Sequence, residues 1–214
     1  LFYLNILLSS LKAELILPVN NSILNYVHVL FEWKQIPNTL YYRIQVSLDD
    51  NFNDIIIDTC VYSLIYIDKE NINWGYTSSS TDEVVLREYF WKIQPIYPNH
   101  EGSWTQPNKF SIDTKRSNAD AILHNEQNYS EGLTIFGSFY DYYSAIIDKN
   151  GKEVWNTGSN KIVYYSTTPY LDLMGCYFDP TLENNLPGIN FSIDSDFIWE
   201  EPNNEFLHHD LIKL

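Results

Sequence analysis

The sequence is poor in cysteine and in positive charge. Cys60 and Cys176 are its two cysteines and no C-x-x-C spacing occurs, which argues against a zinc site and a redox motif. We expect each cysteine to be a small buried apolar residue, with no bond between them. Lys and Arg number 13 against 28 Asp and Glu, a formal net charge of −15. Such a surface repels phosphate backbones and anionic lipids, which disfavours nucleic acid and membrane partners.

Long apolar runs and nucleotide-binding motifs are also missing. No stretch of about 18 apolar residues occurs, so membrane insertion by a helix is not expected. No Walker loop, G-x-G-x-x-G or G-x-S-x-G is present, and we expect no cofactor. Residues 1–13 are mostly apolar and end near small residues, which is typical of the end of a secretory signal peptide. We interpret them as a signal-peptide remnant of a periplasmic or secreted protein; the alternative is a first β-strand or a short helix.

Aromatic residues, by contrast, are abundant at 16%, with 17 Tyr and 6 Trp, and they favour strands over helices. Between residues 14 and 112, short alternating segments separated by polar turns predict about seven strands, the number expected of an immunoglobulin-like sandwich. Alternation places one set of side chains on a common buried face in each of two strands. These sets are Val27, Val29, Phe31 and Trp33, and then Tyr42, Ile44 and Val46. The predicted strands are 14–18, 27–33, 41–47, 55–57, 63–67, 89–95 and 109–112.

Three of these segments resemble strands of a fibronectin type III domain. Phe31-Glu32-Trp33 is similar to the second strand with its core tryptophan, Tyr42–Ser47 to the third, and Tyr89–Ile93 to the sixth with its core tyrosine. The resemblance covers residues 14–115, and a long polar loop at 71–88 departs from the compact form of that family. A polar stretch at 115–120 marks the predicted domain boundary.

An internal repeat occupies the rest of the chain, residues 118–214. Ile146–Trp155 and Phe191–Trp199 each read as strand, tight turn and strand, and Asn150-Gly151 is a strong hairpin signal. Ile147 precedes Ile193 by 46 residues and Trp155 precedes Trp199 by 44, a spacing typical of four-stranded β-propeller blades. We therefore expect an all-β protein, with a fibronectin type III-like β-sandwich followed by the first blades of an incomplete β-propeller. The alternative is two hairpins of a small independent sandwich.

Histidine and carboxylate come together in the segment 206–212. On a strand, His208 and Asp210 share one face and His209 points the other way, so the carboxylate can orient an imidazole. The alternative is a structural strand whose histidine is satisfied by its neighbour. Isolated His28, His100 and His124 are weaker candidates, and Asp148–Gly151 lacks the full ligand pattern of a calcium loop.

The segment 198–214, with Trp199, an acidic turn and the His-His-Asp strand, resembles the bacterial aryl-sulfate sulfotransferases, and Ile147–Trp155 resembles their preceding blade. The resemblance implies sulfuryl transfer from a phenolic sulfate donor to a phenol acceptor through a histidine intermediate. His208, or else His209, would bind the sulfuryl group or give acid/base support, Asp210 would orient His208, and the nucleophile would follow Leu214. The chain would then be an inactive fragment of that enzyme. The alternatives are a non-catalytic binding or adhesion protein, whose exposed Tyr and Trp could stack on sugars, and a propeller without chemistry.

Overall fold

The computed structural model describes residues 13–68, 74, 85–118, 132–139, 143–170, 172–178 and 186–202. The regular structure of these residues consists of β-strands, which confirms the prediction of an all-β protein. No helix in this part of the chain is long and apolar enough to cross a membrane. The chain divides into two compact units, which are described in turn.

The first unit contains two sheets, of three and five strands. The smaller has the order β1-β3-β6, and the larger the order β2-β8-β7-β4-β5. Within these two sheets all neighbouring strands are antiparallel except β2 and β8, which run parallel. The strands are β1 (Leu15–Leu17), β2 (Ser22–Leu24), β3 (Leu30–Trp33), β4 (Tyr41–Ser47), β5 (Ile55–Val61), β6 (Ile65–Ile67), β7 (Glu88–Ile96) and β8 (Asn108–Ile112).

Aromatic side chains join the two sheets into a β-sandwich. Phe31 on β3 meets Trp91 on β7 edge-on, with ring centroids 5.2 Å apart, and lies 5.9 Å from Phe110 on β8. Trp33 meets Tyr42 on β4 in the same way at 5.5 Å. Offset and edge-on contacts suit the ring quadrupoles and add to the free energy gained by burial. The sandwich part of the fold prediction is therefore confirmed.

The predicted buried faces are correct, but several strand limits and one burial prediction are not. Residues 27–33 do not form one strand, because β3 begins at Leu30 and Val27 belongs to the second unit. Cys60 is exposed on β5 and not buried as expected, because it lies on the outer face opposite Arg43. Trp74, in a segment predicted to be a polar loop, is 3% exposed and packs 5.0 Å from Tyr89. Trp74 therefore belongs to the core of the sandwich.

The second unit contains two antiparallel meanders. One has the order β11-β10-β9 and the other the order β12-β13-β14-β15, so every strand pairs with its neighbour in sequence. Residues 25–27 also belong to this unit and extend the first meander: Tyr26 bridges to Trp155, and the Val27 N–H donates to the Val154 carbonyl at 3.0 Å. The strands are β9 (Thr134–Ser138), β10 (Tyr143–Ile147), β11 (Glu153–Asn156), β12 (Ile162–Thr167), β13 (Leu173–Tyr177), β14 (Gly188–Phe191) and β15 (Phe197–Glu200).

The hairpins β10–β11 and β14–β15 have the same register and the same bulge. In each, one residue of the second strand, Val154 or Ile198, has no partner across the ladder. The paired residues are Ile146 with Trp155, Ile147 with Glu153, Asn190 with Trp199, and Phe191 with Phe197. Corresponding positions are 44 residues apart on both strands. A bulge at one fixed place aims the following side chains in the same way in both copies.

The two turns also match. Gly151 has φ 77° and Ser195, 44 residues later, has φ 66°, so both occupy the left-handed region. The Gly151 N–H donates to the Asp148 carbonyl at 3.0 Å, and the Ser195 N–H donates to the Ser192 carbonyl at 2.9 Å. Glycine adopts this conformation at no steric cost, whereas the Cβ atom of serine makes the same conformation unfavourable. The second hairpin therefore keeps the geometry of the first without its Asn-Gly sequence.

These matches correct the alignment of the repeat. The sequence aligned Ile147 with Ile193, but the structure aligns Ile147 with Phe191 and places Ile193 in the turn. The Trp155 indole N–H donates a hydrogen bond to the Ile193 carbonyl. One copy of the hairpin is therefore tied through its tryptophan to the turn of the next copy.

The two equivalent tryptophans differ in burial, which predicts different effects on stability. Trp155 is 2% exposed and Trp199 is 45% exposed. We expect Trp155→Ala to lower the free energy of unfolding by about 3–5 kcal/mol, because it removes a large core side chain. Trp199→Ala should cost about 1 kcal/mol or less. Urea denaturation followed by circular dichroism measures both, and equal losses would contradict the assigned burial.

A second prediction concerns the contact of β9 with β12. A Cβ atom on Gly137 would lie 2.6 Å from the Tyr164 carbonyl oxygen, whereas one on Gly132 would meet nothing within 4 Å. We expect Gly137→Ala to destabilise the protein by about 1–3 kcal/mol, because the backbones of β9 and β12 would have to move apart. Gly132→Ala, the matched control, should leave the melting temperature unchanged or raise it slightly. A Gly137→Ala protein as stable as the control would show that the two strands lie further apart.

Candidate functional site

The predicted catalytic residues His208, His209 and Asp210 lie outside the described residues. The repeat nevertheless relates their positions to described ones, since Tyr164 and Tyr165 stand 44 residues before His208 and His209. Both tyrosines belong to β12, the first strand of the four-stranded meander. This strand is linked to the preceding meander by the Ser144 hydroxyl, which donates to the Ile162 carbonyl at 2.6 Å and accepts the Tyr164 N–H at 2.8 Å.

The weaker candidates do not assemble a site among the described residues. His28 is exposed, His100 stacks on Tyr97 with ring centroids 4.7 Å apart, and His124 lies outside the described residues. The Asp148 carboxylate accepts the N–H groups of Asn150 and Lys152, both at 2.9 Å, so it orders its own turn. No group of three His, Cys, Asp or Glu that could hold a metal ion occurs in this part of the chain.

Buried reactive groups of the second unit have structural partners. Cys176 is fully buried, and burial raises the pKa of its thiol, which disfavours the nucleophilic thiolate. Its sulfur accepts a hydrogen bond from the Tyr165 hydroxyl at 3.0 Å, and burial also raises the pKa of that tyrosine. The Glu153 carboxylate is 1% exposed and accepts the N–H groups of Arg116 at 3.1 Å and Ser117 at 2.6 Å. Glu153 thus links β11 to residues 116–117, and the bond from Tyr165 to Cys176 links β12 to β13.

A cluster of charged and aromatic groups occupies the outer face of the five-stranded sheet in the first unit. Alternation turns Ile44, Val46, Trp91 and Ile93 into the core and the residues between them outward. The outward residues form two rows across strands β5, β4 and β7. One row is Asp58, Gln45 and Lys92, and the other is Cys60, Arg43 and Gln94.

Lys92 lies at the centre of this cluster. Its ammonium nitrogen is 3.5 Å from the centroid of the Phe52 ring and 4.8 Å from that of the Trp104 ring. The Arg43 guanidinium carbon is 5.9 Å from the same Trp104 ring. Both cations are thus within the range of attraction by an aromatic face. We call Lys92, Phe52, Trp104, Arg43 and Asp58 the Lys92 site.

Asp58 is engaged by the other cation. Its two carboxylate oxygens accept the Nε and Nη2 groups of Arg43, both at 2.6 Å, and Oδ2 also accepts the Gln45 amide at 2.9 Å. These bonds, above all those from Arg43, lower the pKa of Asp58. Burial lowers the pKa of Lys92, because it disfavours the charged ammonium, and the Asp58 charge partly offsets this effect.

The segment after β7 places Trp104 over the sheet. It folds back along β7: the Gly102 N–H donates to the Pro95 carbonyl at 2.8 Å, and the Thr105 N–H donates to the Ile93 carbonyl at 2.9 Å. The Thr105 hydroxyl in return accepts the Ile93 N–H at 3.1 Å. Gly102 is required for this approach, since a Cβ there would lie 2.7 Å from the Pro95 side chain.

A carboxylate in the β4–β5 turn places Phe52. Asp49 accepts the backbone N–H groups of Asn51 at 3.0 Å, Asn53 at 2.9 Å and Asp54 at 2.6 Å. These bonds, first that from Asp54, lower the pKa of Asp49. Within this turn Phe52 has φ 58°, an uncommon conformation for an aromatic residue. The turn therefore holds Phe52 in the conformation that brings its ring to Lys92.

Trp104 also lines a groove at the end of the sandwich. The groove has a volume of about 540 Å³ and is bordered by polar and aromatic side chains, among them Tyr97, His100, Glu101, Ser103 and Gln106. We call it the hairpin groove, because it lies along the connection between β7 and β8. Its size is within the range of small-ligand sites, and its lining offers both ring faces and hydrogen-bonding groups.

Sequence reasoning missed this site. The alternation that predicted the inward face of β4 also places Arg43 outward, and the same rule applied to β7 places Lys92 outward. The proximity of Phe52 and Trp104, however, depends on a turn and a folded-back segment with no periodic signal. Their positions follow from hydrogen bonds of Asp49 and Thr105, which the sequence pattern does not reveal.

Comparisons with known proteins show a likeness to solved structures and to no family model. No protein-family model matches the chain, and no curated protein matches it. Among solved structures, the crystal structure of chicken CNTN1 FN1-FN3 domains matches with 8% identity and a TM-score of 0.34, over 89% of this chain. This chain covers 62% of that one. The fold described for the first unit rests on its own strand order and packing.

The Asp49 turn yields a prediction. Asp49→Ala removes the acceptor for three backbone N–H groups, so we expect Phe52 to leave Lys92. The upfield ring-current shift of the Lys92 ε-methylene protons should then decrease in NMR spectra to the part contributed by Trp104. In the native protein the pKa of Asp49 is lowered, so its ionised carboxylate stabilises the turn at pH values above the ordinary pKa of an aspartate. This stabilisation is lost as the pH falls through the lowered pKa of the folded state.

Asp50→Ala is the matched control, because the Asp50 carboxylate accepts only the Asn51 side-chain amide among the described contacts. It should leave the Lys92 shift unchanged. A native-like Lys92 shift in the Asp49→Ala protein would show that the carboxylate does not position Phe52.

Proposed function

We propose that the chain is the front part of an exported aryl-sulfate sulfotransferase, with a fibronectin type III-like domain before a β-propeller. The observation that carries the proposal is the 44-residue repeat of the second unit, in which register, bulge and turn conformation recur together. Repeats of about 40–50 residues made of antiparallel strands are typical of propeller blades. The sandwich order β1-β3-β6 against β5-β4-β7-β8 supports the fibronectin-like assignment of the first unit.

The four-stranded meander supports the propeller assignment in a second way. Propeller blades are four-stranded antiparallel sheets arranged around a channel. The meander β12-β13-β14-β15 has four strands paired in chain order. The strands β9, β10 and β11 of the first meander correspond to β13, β14 and β15 of the second, because the two sets of strands pair in matching register. We infer that successive blades begin with a strand at the position of β12.

The 44-residue spacing supports a proposed position for the predicted histidines. Since Tyr164 and Tyr165 of β12 precede His208 and His209 by 44 residues, we propose that the histidines stand on the first strand of the next blade. The first strands of several blades converge on one channel, where their side chains can meet a single ligand. This placement is what transfer chemistry requires, because several groups must surround one sulfuryl group.

The chemistry of the proposed reaction has two displacement steps. A histidine nitrogen attacks the sulfur of the donor ester, an N–S bond forms, and the S–O bond to the departing phenolate breaks. The acceptor phenol then loses its proton to a base, and its oxygen takes the sulfuryl group from the histidine. His208, with His209 as the alternative, would hold the sulfuryl oxygens or move the acceptor proton, and Asp210 would keep the His208 imidazole oriented. The nucleophilic histidine would follow Leu214.

The test is a transfer assay on the full-length protein that carries this chain. With p-nitrophenyl sulfate and phenol as substrates, we expect release of p-nitrophenol that depends on phenol. His208→Ala should lower kcat about 10²–10⁴-fold, the usual contribution of an acid/base group. His28→Ala is the matched control and should have no effect, because His28 is an exposed residue of the first unit. Full activity of both the His208→Ala and His209→Ala proteins, or no transfer to any phenol, would refute the proposal.

A further inference from the structure

Lys92 has hydrogen-bonding capacity that the described structure leaves unused. Its ammonium carries three N–H donors. Among the described residues its contacts are the ring faces of Phe52 and Trp104, and no oxygen accepts a hydrogen bond from it. The Asp58 carboxylate on the same row is bound by Arg43 and Gln45. An anionic ligand group placed against this ammonium would gain a charge-assisted hydrogen bond beside the two aromatic rings.

Trp104 connects this unused donor to the hairpin groove. The same indole lies by Lys92 and lines the groove. The C–H bonds of a pyranose ring pack well on the electron-rich face of an indole. Hydroxyl groups of such a ring would meet polar groove side chains, including Ser103, Gln106 and Glu101. The site thus combines an anion-binding donor with a sugar-binding surface.

The charges around Lys92 favour one anionic group over a polyanion. Arg43 and Lys92 are positive, whereas Asp58 and Glu101 are negative, and the chain as a whole has a net charge of −15. The negative field of the chain would repel a polyanion. Salt screens the repulsion between distant charges, but it screens the repulsion by the nearby carboxylates much less. A single carboxylate directed at Lys92 makes a short-range contact without exposing further charge to the acidic surface.

We propose that the Lys92 site and the hairpin groove bind an oligosaccharide that carries a single uronate, with the uronate carboxylate on the Lys92 ammonium and its ring on Trp104. The site is on the first unit and does not depend on the proposed sulfuryl transfer. It makes this unit a carbohydrate-recognition module, whichever reaction the rest of the protein performs.

The test is an NMR titration of the protein with a trisaccharide that carries one glucuronate and two neutral xylose residues and, separately, with the methyl ester of that trisaccharide. We expect saturable shifts in β4, β7 and residues 102–105 with the acid, and at least about tenfold weaker binding of the ester, because the ester lacks the charge that Lys92 would recognise. Lys92→Gln and Trp104→Ala should each weaken binding of the acid about tenfold or more. Lys109→Gln, which removes an exposed lysine of β8 that pairs with Glu88 of β7 in the same sheet, should leave it unchanged.

Three results would overturn the proposal: no saturable shifts at millimolar concentration of the singly charged trisaccharide, equal affinity for the acid and the ester, or equal weakening by Lys92→Gln and Lys109→Gln. If a variant does not fold, the comparison of acid with ester on the native protein still decides the role of the charge.

Discussion

Burial of one face of the five-stranded sheet determines both the stability and the outer surface of the first unit. Phe31 packs against this face, and the inward residues of β4 and β7, among them Ile44 and Trp91, are fully buried. Because successive side chains on a strand point to opposite faces, fixing Ile44 and Trp91 inward also fixes Arg43 and Lys92 outward. A shift of one residue in either strand would expose the core and bury both cations, so the hydrophobic core and the Lys92 site share one register.

The second unit depends on a different constraint, the bulged hairpin. Both copies keep the unpaired residue at the same place and a left-handed residue at the same turn position, although Gly151 in one becomes Ser195 in the other. A serine in that conformation is strained, and it is retained where the surrounding structure compensates. Ser195 is buried, and the Ser192 hydroxyl and carbonyl both receive N–H groups of its turn. The geometry of the repeat is therefore more constant than its sequence.

Local patterns predicted what is local in this fold. Alternation located β4 to the residue, and Asn150-Gly151 located the first hairpin turn. The parallel pairing of β2 with β8 and the bridge from Tyr26 to Trp155 join residues far apart in sequence and leave no periodic trace. The repeat was aligned wrongly because an Ile-Asp pair recurs by composition in the second turn, where Ile193 contributes its carbonyl and not a strand side chain. The placement of His208 and Asp210 on one face by alternation stays a prediction, because both residues lie outside the described part of the chain.

The unequal surroundings of the two equivalent tryptophans bear on how such a repeat is stabilised. Trp155 is covered because residues 25–27 pair with its strand and the next hairpin turn accepts its indole N–H. Trp199, Ile198 and Phe197 have the same geometry on β15, and all three are exposed. The β14–β15 hairpin thus stabilises the β10–β11 hairpin through its turn, in the way that neighbouring units bury each other in repeat architectures. In the proposed propeller a following blade would cover the exposed apolar side chains of β15, which would also remove an edge able to associate with other strands.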